Sequence, residues 1–167
     1  SEFGFIFQQF YLVSNLTLLE NVEVAGFLGR RGPSGAVEKR ARELLRHFHV
    51  EKVQDRLPSQ VSGGEAQRAA IARAIINEPG LLFADEPTGA LNKRNSTEVL
   101  DLLTELNRKG QSILMVTHDL KAALRGNRIL YLEDGKIPDE LTLPPFGEQD
   151  GHDREEKVNS WLSSLEW

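Results

Sequence analysis

Short apolar runs alternate with helix-like patterns along most of the chain. Three of these runs, Phe3 to Gln8, Leu81 to Ala84 and Ser112 to Thr117, have the length and the side chains of strands. A fourth run, Arg128 to Leu132, has the same character. Strands that are separated in sequence by helices usually pair in parallel. The pattern therefore predicts an α/β fold built on a parallel sheet.

Apolar residues spaced by about 3.6 positions predict the helices between these strands. The first helix is short, over residues 15–20, where Thr17 and Glu20 have the spacing of a capping box. Loops are expected at residues 29–35 and 142–147, which are rich in Gly and Pro. The other predicted helices cover residues 37–50, 63–77, 96–108, 120–124 and 153–165, the last with Val158, Trp161, Leu162 and Leu165 on one face.

Charge and composition exclude some classes of function. With 20 Lys and Arg against 25 Asp and Glu, the net charge is −5, the wrong sign for a protein that holds nucleic acid through its phosphates. The chain has no cysteine, so no disulfide supports the fold. No apolar run approaches the roughly 20 residues that cross a bilayer, and the N-terminus resembles no export signal. Any role in a membrane process is expected to depend on docking to another subunit.

The most distinctive polar segment, Val61 to Arg68, opens a predicted helix. Ser62 and Glu65 have the spacing of a capping box, and a cap alone would explain them. Gly63 and Gly64 also leave backbone N–H groups accessible at the positive end of that helix, which suits a phosphate. Taken alone, this segment leaves both explanations open and favours the simple cap.

Three further polar sites follow predicted strands. Asp85 and Glu86 lie where open α/β sheets bind ligands, and a nucleotide site needs one carboxylate near Mg²⁺ and one for the attacking water. An acid at such a position can equally cap the next element. His118 ends another strand, where a lone histidine is more often structural than catalytic. Gln8 ends the first strand and by itself indicates nothing.

Taken together and in this order, the four sites resemble the motifs of the ABC ATPases, the nucleotide-binding subunits of membrane transporters. The resemblance extends over residues 3 to about 137. Within that family the chain is similar to a bacterial group that includes lipoprotein-release and antimicrobial-peptide transporters, and its tail to the antimicrobial-peptide branch. The matching segments are Phe7-Gln8 (Q-loop), Val61 to Arg68 (signature), Leu81 to Pro87 (Walker B), Thr117 to Asp119 (H-loop) and, for the bacterial group, Asn15 to Val22 and Asp85 to Leu91.

The resemblance implies a transport ATPase subunit that binds ATP with Mg²⁺. Residues 1–137 would form an incomplete P-loop NTPase domain, in which a helical signature subdomain of about residues 10–76 interrupts the α/β core. Residues 138–167 would form a C-terminal loop and helix. Family members close as head-to-tail dimers and dock on a transmembrane permease, here near residues 10–31. The implied location is cytoplasmic, at the inner face of the cell membrane.

The resemblance also implies roles for single residues. Asp85 would help to hold Mg²⁺, and Glu86 would be the base that orients or deprotonates the attacking water. His118 would contact the γ-phosphate of ATP. Gln8 would lie near the metal and report the nucleotide state to the membrane subunit.

Other residues would act across the dimer. Ser62, Gly63 and Gly64 would contact the γ-phosphate that a second subunit binds. Glu65 stands where the family usually has Gln, and its carboxylate would repel the phosphate unless it turns back onto Ser62 as a cap, which we expect. Asn92 stands where the family usually has Asp, so it keeps hydrogen-bonding capacity but loses a charge.

The chain departs from the family most clearly in its phosphate loop. No G-x-x-x-x-G-K-S/T motif occurs in its 167 residues, and Gly32 to Gly35 resembles only part of one. Since that loop supplies most of the grip on the β- and γ-phosphates, we expect this chain alone neither to bind ATP tightly nor to hydrolyse it. In the family the loop precedes the first strand found here, so the chain is expected to be a truncated piece.

A truncated chain is expected to expose part of its sheet and to self-associate, and two other functions remain open. Without the earlier elements, the sheet formed with Phe5, Phe7, Leu82 and Met115 should be uncovered, which predicts a dimer or larger species. The first alternative is a non-enzymatic remnant or regulatory piece that keeps the fold and a docking surface. The second is a chromosome-maintenance ATPase, which the absence of long heptad stretches and the acidic balance disfavour.

Overall fold

A computed structural model describes residues 3–29, 33–147 and 151–167. The chain divides into two compact units, Ser1–Val116 and Thr117–Trp167, which are described separately. The division falls between Val116 and Thr117, whereas the sequence suggested a boundary after residue 137. Residue 137 lies inside a strand of the second unit.

The first unit contains a three-stranded parallel sheet in the order β1 (Phe3–Phe7), β2 (Leu81–Asp85), β3 (Ser112–Val116). The strands are aligned so that their last residues stand side by side: Phe7 pairs with Asp85, and Asp85 with Val116. These strands confirm three of the four strand predictions. Their carboxyl ends form one edge, where the residues that follow each strand emerge.

Among the described residues, four α-helices accompany this sheet: α1 (Leu18–Gly29), α2 (Ser34–His47), α3 (Gly63–Ile75) and α4 (Lys93–Arg108). Two short 3-10 helices, Glu51–Val53 and Pro58–Gln60, lie between α2 and α3. The capping box at the start of α1 is confirmed, since Thr17 N donates to Glu20 Oε1 and Glu20 N to Thr17 Oγ1. The helix then continues to Gly29, well beyond the predicted end at residue 20, because it packs on α2 and α3. Helix α2 begins inside the predicted loop, of which residues 30–32 lie outside the described residues.

The core of this unit lies on one side of the sheet. Successive residues of a strand point to opposite faces, so Ile6, Leu82 and Ala84 are buried against the helices. The other face is exposed: the exposed fractions are 49% for Phe5 and 45% for Leu114. The expectation of an uncovered sheet was therefore right for Phe5.

Phe5, Phe7, Leu82 and Met115 all lie in this sheet, as predicted, and one of its two faces is uncovered. Leu82 is fully buried, and Met115 is partly buried and packs against the core. Both residues lie one position out of phase with the exposed face, and sequence alone did not show which face the helices cover.

The second unit comprises α5 (Leu120–Ala123), β4 (Arg128–Glu133), β5 (Lys136–Thr142) and α6 (Gly151–Ser164). The fourth predicted strand forms as β4. It was expected to join a parallel sheet, but it pairs antiparallel with β5. Asp134 and Gly135 form the turn with φ values of 50° and 72°, the conformation of a tight hairpin. Strand β5 was not predicted. It is mainly polar and exposed, so its sequence shows no alternation of apolar and polar residues.

The terminal helix was predicted in nearly the right place, but its buried face was only partly correct. Val158 is fully buried, whereas Trp161, Leu162 and Leu165 are only half-buried. Arg154 takes a buried position on the same helix. Among the described helices, none combines the length and apolarity that a membrane span requires.

Candidate functional site

The start of α3 is fixed by a complete capping box. Ser62 Oγ accepts from the Glu65 N–H at 3.2 Å, and Glu65 Oε1 accepts from the Ser62 N–H at 2.9 Å. The carboxylate of Glu65 is therefore turned back onto the backbone, as expected from the sequence. An open pocket of about 190 Å³ adjoins Ser62 and Gly63 and is also lined by Phe10. At this helix start Ser62 is exposed and Gly63 is partly exposed, whereas Gly64, which was predicted to offer an accessible N–H group, is buried.

The two glycines at this helix start are closely packed against side chains of the neighbouring loop and helix α4. A Cβ at residue 64 would lie 2.6 Å from Oδ1 of Asn95, and one at residue 63 would lie 3.1 Å from Cδ2 of Leu91. Asn92 begins α4 by accepting the Asn95 N–H through its side-chain oxygen at 2.8 Å. The start of α4 is thus packed against the start of α3, and Asn92 is the cap that orients Asn95.

Asp85 and Glu86 lie at the carboxyl edge of the sheet. Asp85 is the exposed last residue of β2, and Glu86 follows it with a left-handed backbone, φ 47°. The Glu86 N–H donates to Val116 O at 2.8 Å, which anchors the turn to β3. A left-handed conformation is costly for a residue with a Cβ, and such strain concentrates at functional positions.

Gln8 lies over the loop that follows Glu86. A Cβ at residue 89 would lie 2.7 Å from Cδ and 3.0 Å from Nε2 of Gln8, so any larger residue there would displace this side chain. Gly89 N also donates to Glu86 O at 3.0 Å, which ties the glycine to the strained turn. The first unit therefore brings Gln8 next to the segment that carries the two acids.

Sequence reasoning assigned no role to two polar residues of α3 that contact this region. Gln67 is fully buried, and its Nε2 donates to Phe7 O at 3.0 Å and to Pro87 O at 2.6 Å. Arg73 donates to Phe10 O and Tyr11 O. A signal existed in the sequence, since both residues interrupt a helix that is otherwise rich in Ala and Ile.

His118, the remaining predicted site residue, belongs to the second unit. It is exposed and stands between Thr117 and Asp119, which form a turn in which Asp119 N donates to Thr117 Oγ1 at 3.0 Å. Asp119 then caps α5 by accepting the Lys121 N–H. The histidine is thus placed on a short, locally stabilised turn that follows β3 in the chain.

Asp85 and Gln8 at the sheet edge suit a magnesium ion that takes most of its ligands from water and phosphate. No group of three acidic or histidine side chains that could hold a metal occurs in the described part of the chain. Mg²⁺ usually takes one or two protein oxygens and completes its shell with water and phosphate oxygens. The exposed carboxylate of Asp85 and the side-chain amide of Gln8 offer donors of this kind.

Comparison with known proteins gives a consistent picture. The family described as ABC transporter matches residues 1–89. The macrolide export ATP-binding/permease protein MacB of Rhodopseudomonas palustris (strain HaA2) is 43% identical over 150 residues, which make up 89% of this chain and 23% of MacB. The chain therefore spans about a quarter of this relative.

Two solved structures of the ATP-binding cassette MJ0796 share the fold. The first is a dimer in a post-hydrolysis state with ADP and Pi bound: TM-score 0.76, 41% identity, 87% of this chain and 65% of the cassette covered. The second is a dimer described as a bacterial ABC transporter cassette: TM-score 0.75, 43% identity, 86% and 63% covered. The chain spans slightly less than two thirds of these cassettes.

Proposed function

Since this chain belongs to the ABC transporter family of ATP-binding domains and has the fold of its cassettes, we propose that it supplies one half of an ATP-hydrolysing site that drives transport. This half carries the signature at Ser62 to Gly64, the carboxylate of Asp85 for Mg²⁺ and the proposed general base Glu86. The observation that carries the proposal is the packing of Gln8 over Gly89, directly after the strained turn at Glu86. This packing joins two of the motifs into one local unit.

Each acid at the sheet edge has a distinct task in this proposal. Asp85 takes part in the Mg²⁺ shell, with Gln8 as a neighbouring oxygen donor. Glu86 accepts the proton of the attacking water or orients that water. Its backbone N–H donates to Val116 O, which fixes the point at which its side chain leaves the end of the strand. Bound Mg²⁺ supplies neutralisation of the charge on the phosphates.

The remaining residues act on the γ-phosphate. His118 donates a hydrogen bond to it from the turn after β3. Ser62, Gly63 and Gly64 offer the capped start of α3 to a γ-phosphate held by a second subunit. The capping box supports this role, because it occupies the carboxylate of Glu65 and keeps it from turning toward the anion.

The partners follow from the relatives. MacB is described as an export ATP-binding/permease protein, and the MJ0796 cassette is dimeric. We propose that this chain acts with a transmembrane permease and a second ATPase domain at the cytoplasmic face of the cell membrane. The transported molecule is proposed to be an antimicrobial peptide or a lipoprotein, in line with the subgroup that the sequence resembles. The runner-up function is a non-enzymatic remnant that keeps the docking surface.

A chimera tests the enzymatic proposal. The part of MacB that precedes its matching region, where the family carries the phosphate loop, is joined to this chain, and phosphate release from Mg-ATP is measured. We expect hydrolysis, which Glu86→Gln lowers at least about a hundredfold, the usual scale for loss of a general base. ATP binding by the Glu86→Gln chimera serves as the control for folding.

The outcomes separate the two functions. A chimera that folds and binds ATP but hydrolyses none would support the remnant and contradict the enzyme. The chain by itself, titrated with Mg-ATP in a calorimeter, is expected to show no micromolar binding, because its sequence contains no phosphate-loop motif. Micromolar binding would show that other groups of the chain hold the phosphates.

A further inference from the structure

We infer that Gln67 and Arg73 are positioning residues that fasten both ends of the segment Phe7–Tyr11 to helix α3, so that Gln8 moves with the signature helix. The inference rests on the role proposed for Gln8. It assigns functions to two side chains that neither touch nucleotide in the proposed site nor belong to the predicted site residues. The two residues are six positions apart on the helix, about 9 Å along its axis.

Gln67 holds the beginning of the segment. Its side-chain nitrogen donates to two carbonyl oxygens, Phe7 O and Pro87 O, which fixes the orientation of the amide because only the NH₂ end can donate. The same helix residue thus joins the end of β1, just before Gln8, to the residue that follows Glu86. One side chain links the Q-loop strand to the loop after the two acids.

The buried side-chain amide of Gln67 lowers the stability of the folded state through its oxygen. Among the described residues, its Oε1 is buried and has no hydrogen-bond partner. An unsatisfied buried acceptor destabilises the folded state, and a buried apolar side chain would avoid that cost. The two hydrogen bonds from Nε2 are therefore the feature that distinguishes Gln67 from a simple core residue.

Arg73 holds the other end. Phe10 and Tyr11 both have left-handed backbones, with φ values of 58° and 52°. Two such residues in succession are strained, and surrounding contacts must hold them. The guanidinium supplies these contacts, since Nη2 donates to Phe10 O at 2.7 Å and Nη1 to Tyr11 O at 2.6 Å. Burial lowers the pKa of Arg73, which nevertheless remains charged at neutral pH.

The hydrogen bonds from Gln67 and Arg73 hold both ends of the segment Phe7–Tyr11, which we call the strap. Gln8 and Gln9 are the only residues between the carbonyls of Phe7 and Phe10, and both lie on the exposed side. A shift of α3, whose first turn carries Ser62 to Gly64, therefore pulls on the backbone on both sides of Gln8. Through α3, contact of Ser62 to Gly64 with a second subunit would therefore shift Gln8, which lies near the proposed Mg²⁺ site.

Amide hydrogen exchange on the 167-residue chain tests the strap without nucleotide. We expect Arg73→Lys and Gln67→Met to accelerate exchange of the amides of Phe10 and Tyr11 about tenfold, because a lysine ammonium cannot bridge two carbonyls in a fixed fork and methionine has no donor. Exchange in the middle of α3, at Ala69 to Ile71, should stay within about twofold.

Arg40→Lys is the control. Arg40 lies on α2 and its Nε donates to the backbone oxygen of Ile76 at 3.0 Å, outside the strap and the predicted motifs, so its variant should leave Phe10 and Tyr11 unchanged. The inference is overturned if Arg73→Lys leaves the strap amides unchanged, or if Arg40→Lys accelerates them equally. Should Gln67→Met fail to fold, Arg73→Lys decides alone.

A second readout in the chimera addresses function. Arg73→Lys should raise the Mg²⁺ concentration for half-maximal hydrolysis several-fold, because Gln8 is displaced, whereas Arg40→Lys should not. A smaller folded fraction would lower the rate but leave that concentration unchanged. An unshifted Mg²⁺ requirement would overturn the link from the strap to Gln8. An inactive unmodified chimera would instead refute the proposed function, and the exchange experiment would still decide whether the strap exists.

Discussion

Gln8 rests on Gly89 so closely that a single methyl group would displace it: a Cβ at residue 89 would lie 2.7 Å from its Cδ. The two residues are far apart in sequence, and their contact brings the end of β1 to the loop after β2. Several properties of the proposed site depend on contacts of this kind.

Gly89→Ala should move Gln8 with little effect on stability. The obstructed atoms belong to the end of a flexible side chain, so we expect the unfolding free energy to change by less than about 1 kcal/mol. The side-chain amide signals of Gln8 in a ¹H–¹⁵N spectrum should shift clearly. Gly35→Ala is the control, since no atom lies within 4 Å of its added Cβ. Unchanged Gln8 signals in Gly89→Ala would contradict the contact.

Glu86→Gly should be more stable than Glu86→Ala by about 1 kcal/mol, because only glycine accepts a left-handed backbone at little cost. Both variants lack the carboxylate, so their difference in urea unfolding isolates the backbone at φ 47°. In the chimera both should lose hydrolysis to a similar extent. Equal stability of the two variants would show that the turn at residue 86 is not strained.

Arg154→Ala should destabilise the second unit by about 2–4 kcal/mol, because three buried carbonyl groups lose a charged hydrogen-bond donor. Arg154 is buried and donates to Leu124 O, Gly126 O and Pro144 O at 2.6–2.7 Å. Both tryptophans of the chain lie in α6 or just after it, so their fluorescence reports this unit.

Arg128→Ala provides the comparison for Arg154→Ala. Arg128 forms an exposed ion pair with Glu140 in the same unit, and its loss should cost less than about 1 kcal/mol. Similar midpoints of urea unfolding for the two variants, followed by tryptophan fluorescence, would show that Arg154 does not hold the unit together.

Glu105 should make stability depend on pH in the acidic range. The hydrogen bond from Lys109, with a further one from His47, lowers the pKa of Glu105 below its ordinary value of 4.5. A lowered pKa means that the ionised form is favoured in the folded state, so this stabilisation is present above pH 4.5 and is lost as the pH falls below it.

Glu105→Gln should therefore reduce stability at pH 6 and have a diminishing effect toward pH 3. The side chain is about half exposed, so the effect should be under about 1 kcal/mol. Burial raises the pKa of Glu23, and Glu38 raises it further, so Glu23→Gln should show the opposite sign at pH 6. The same sign in urea unfolding for both variants would contradict these assignments.

The exposed face of the sheet should make the chain self-associate. Phe5 and Leu114 belong to one row across β1, β2 and β3, and both are about half exposed. Exposed apolar patches of this kind favour association. By light scattering, the chain should be a dimer or larger, and Phe5→Lys with Leu114→Lys should shift it toward the monomer.

Leu28→Lys is the control for this surface, because Leu28 is 83% exposed but lies on α1, away from the sheet. It should leave the association unchanged. A monomeric unmodified chain at high concentration would contradict the prediction that the sheet face drives association.

Local sequence determined the elements that depend on neighbouring residues. The capping boxes at Thr17 and Ser62 involve groups three positions apart, and both formed as predicted. The three parallel strands were also predicted, since their apolar runs are continuous and separated by helices. The order of four polar sites sufficed for the family, which the comparisons confirm.

Tertiary structure decided everything that depends on distant residues. Gln67 reaches a carbonyl 60 positions away and Arg73 one 63 positions away, and no local pattern encodes such a pairing. The left-handed turn at Glu86 exists because β3 accepts its N–H, and β5 forms because the Asp134-Gly135 turn folds a polar segment back onto β4. Hydrophobic periodicity specifies which residues a helix or strand buries. It does not specify which distant backbone groups its few buried polar side chains will meet, because that depends on how the elements pack.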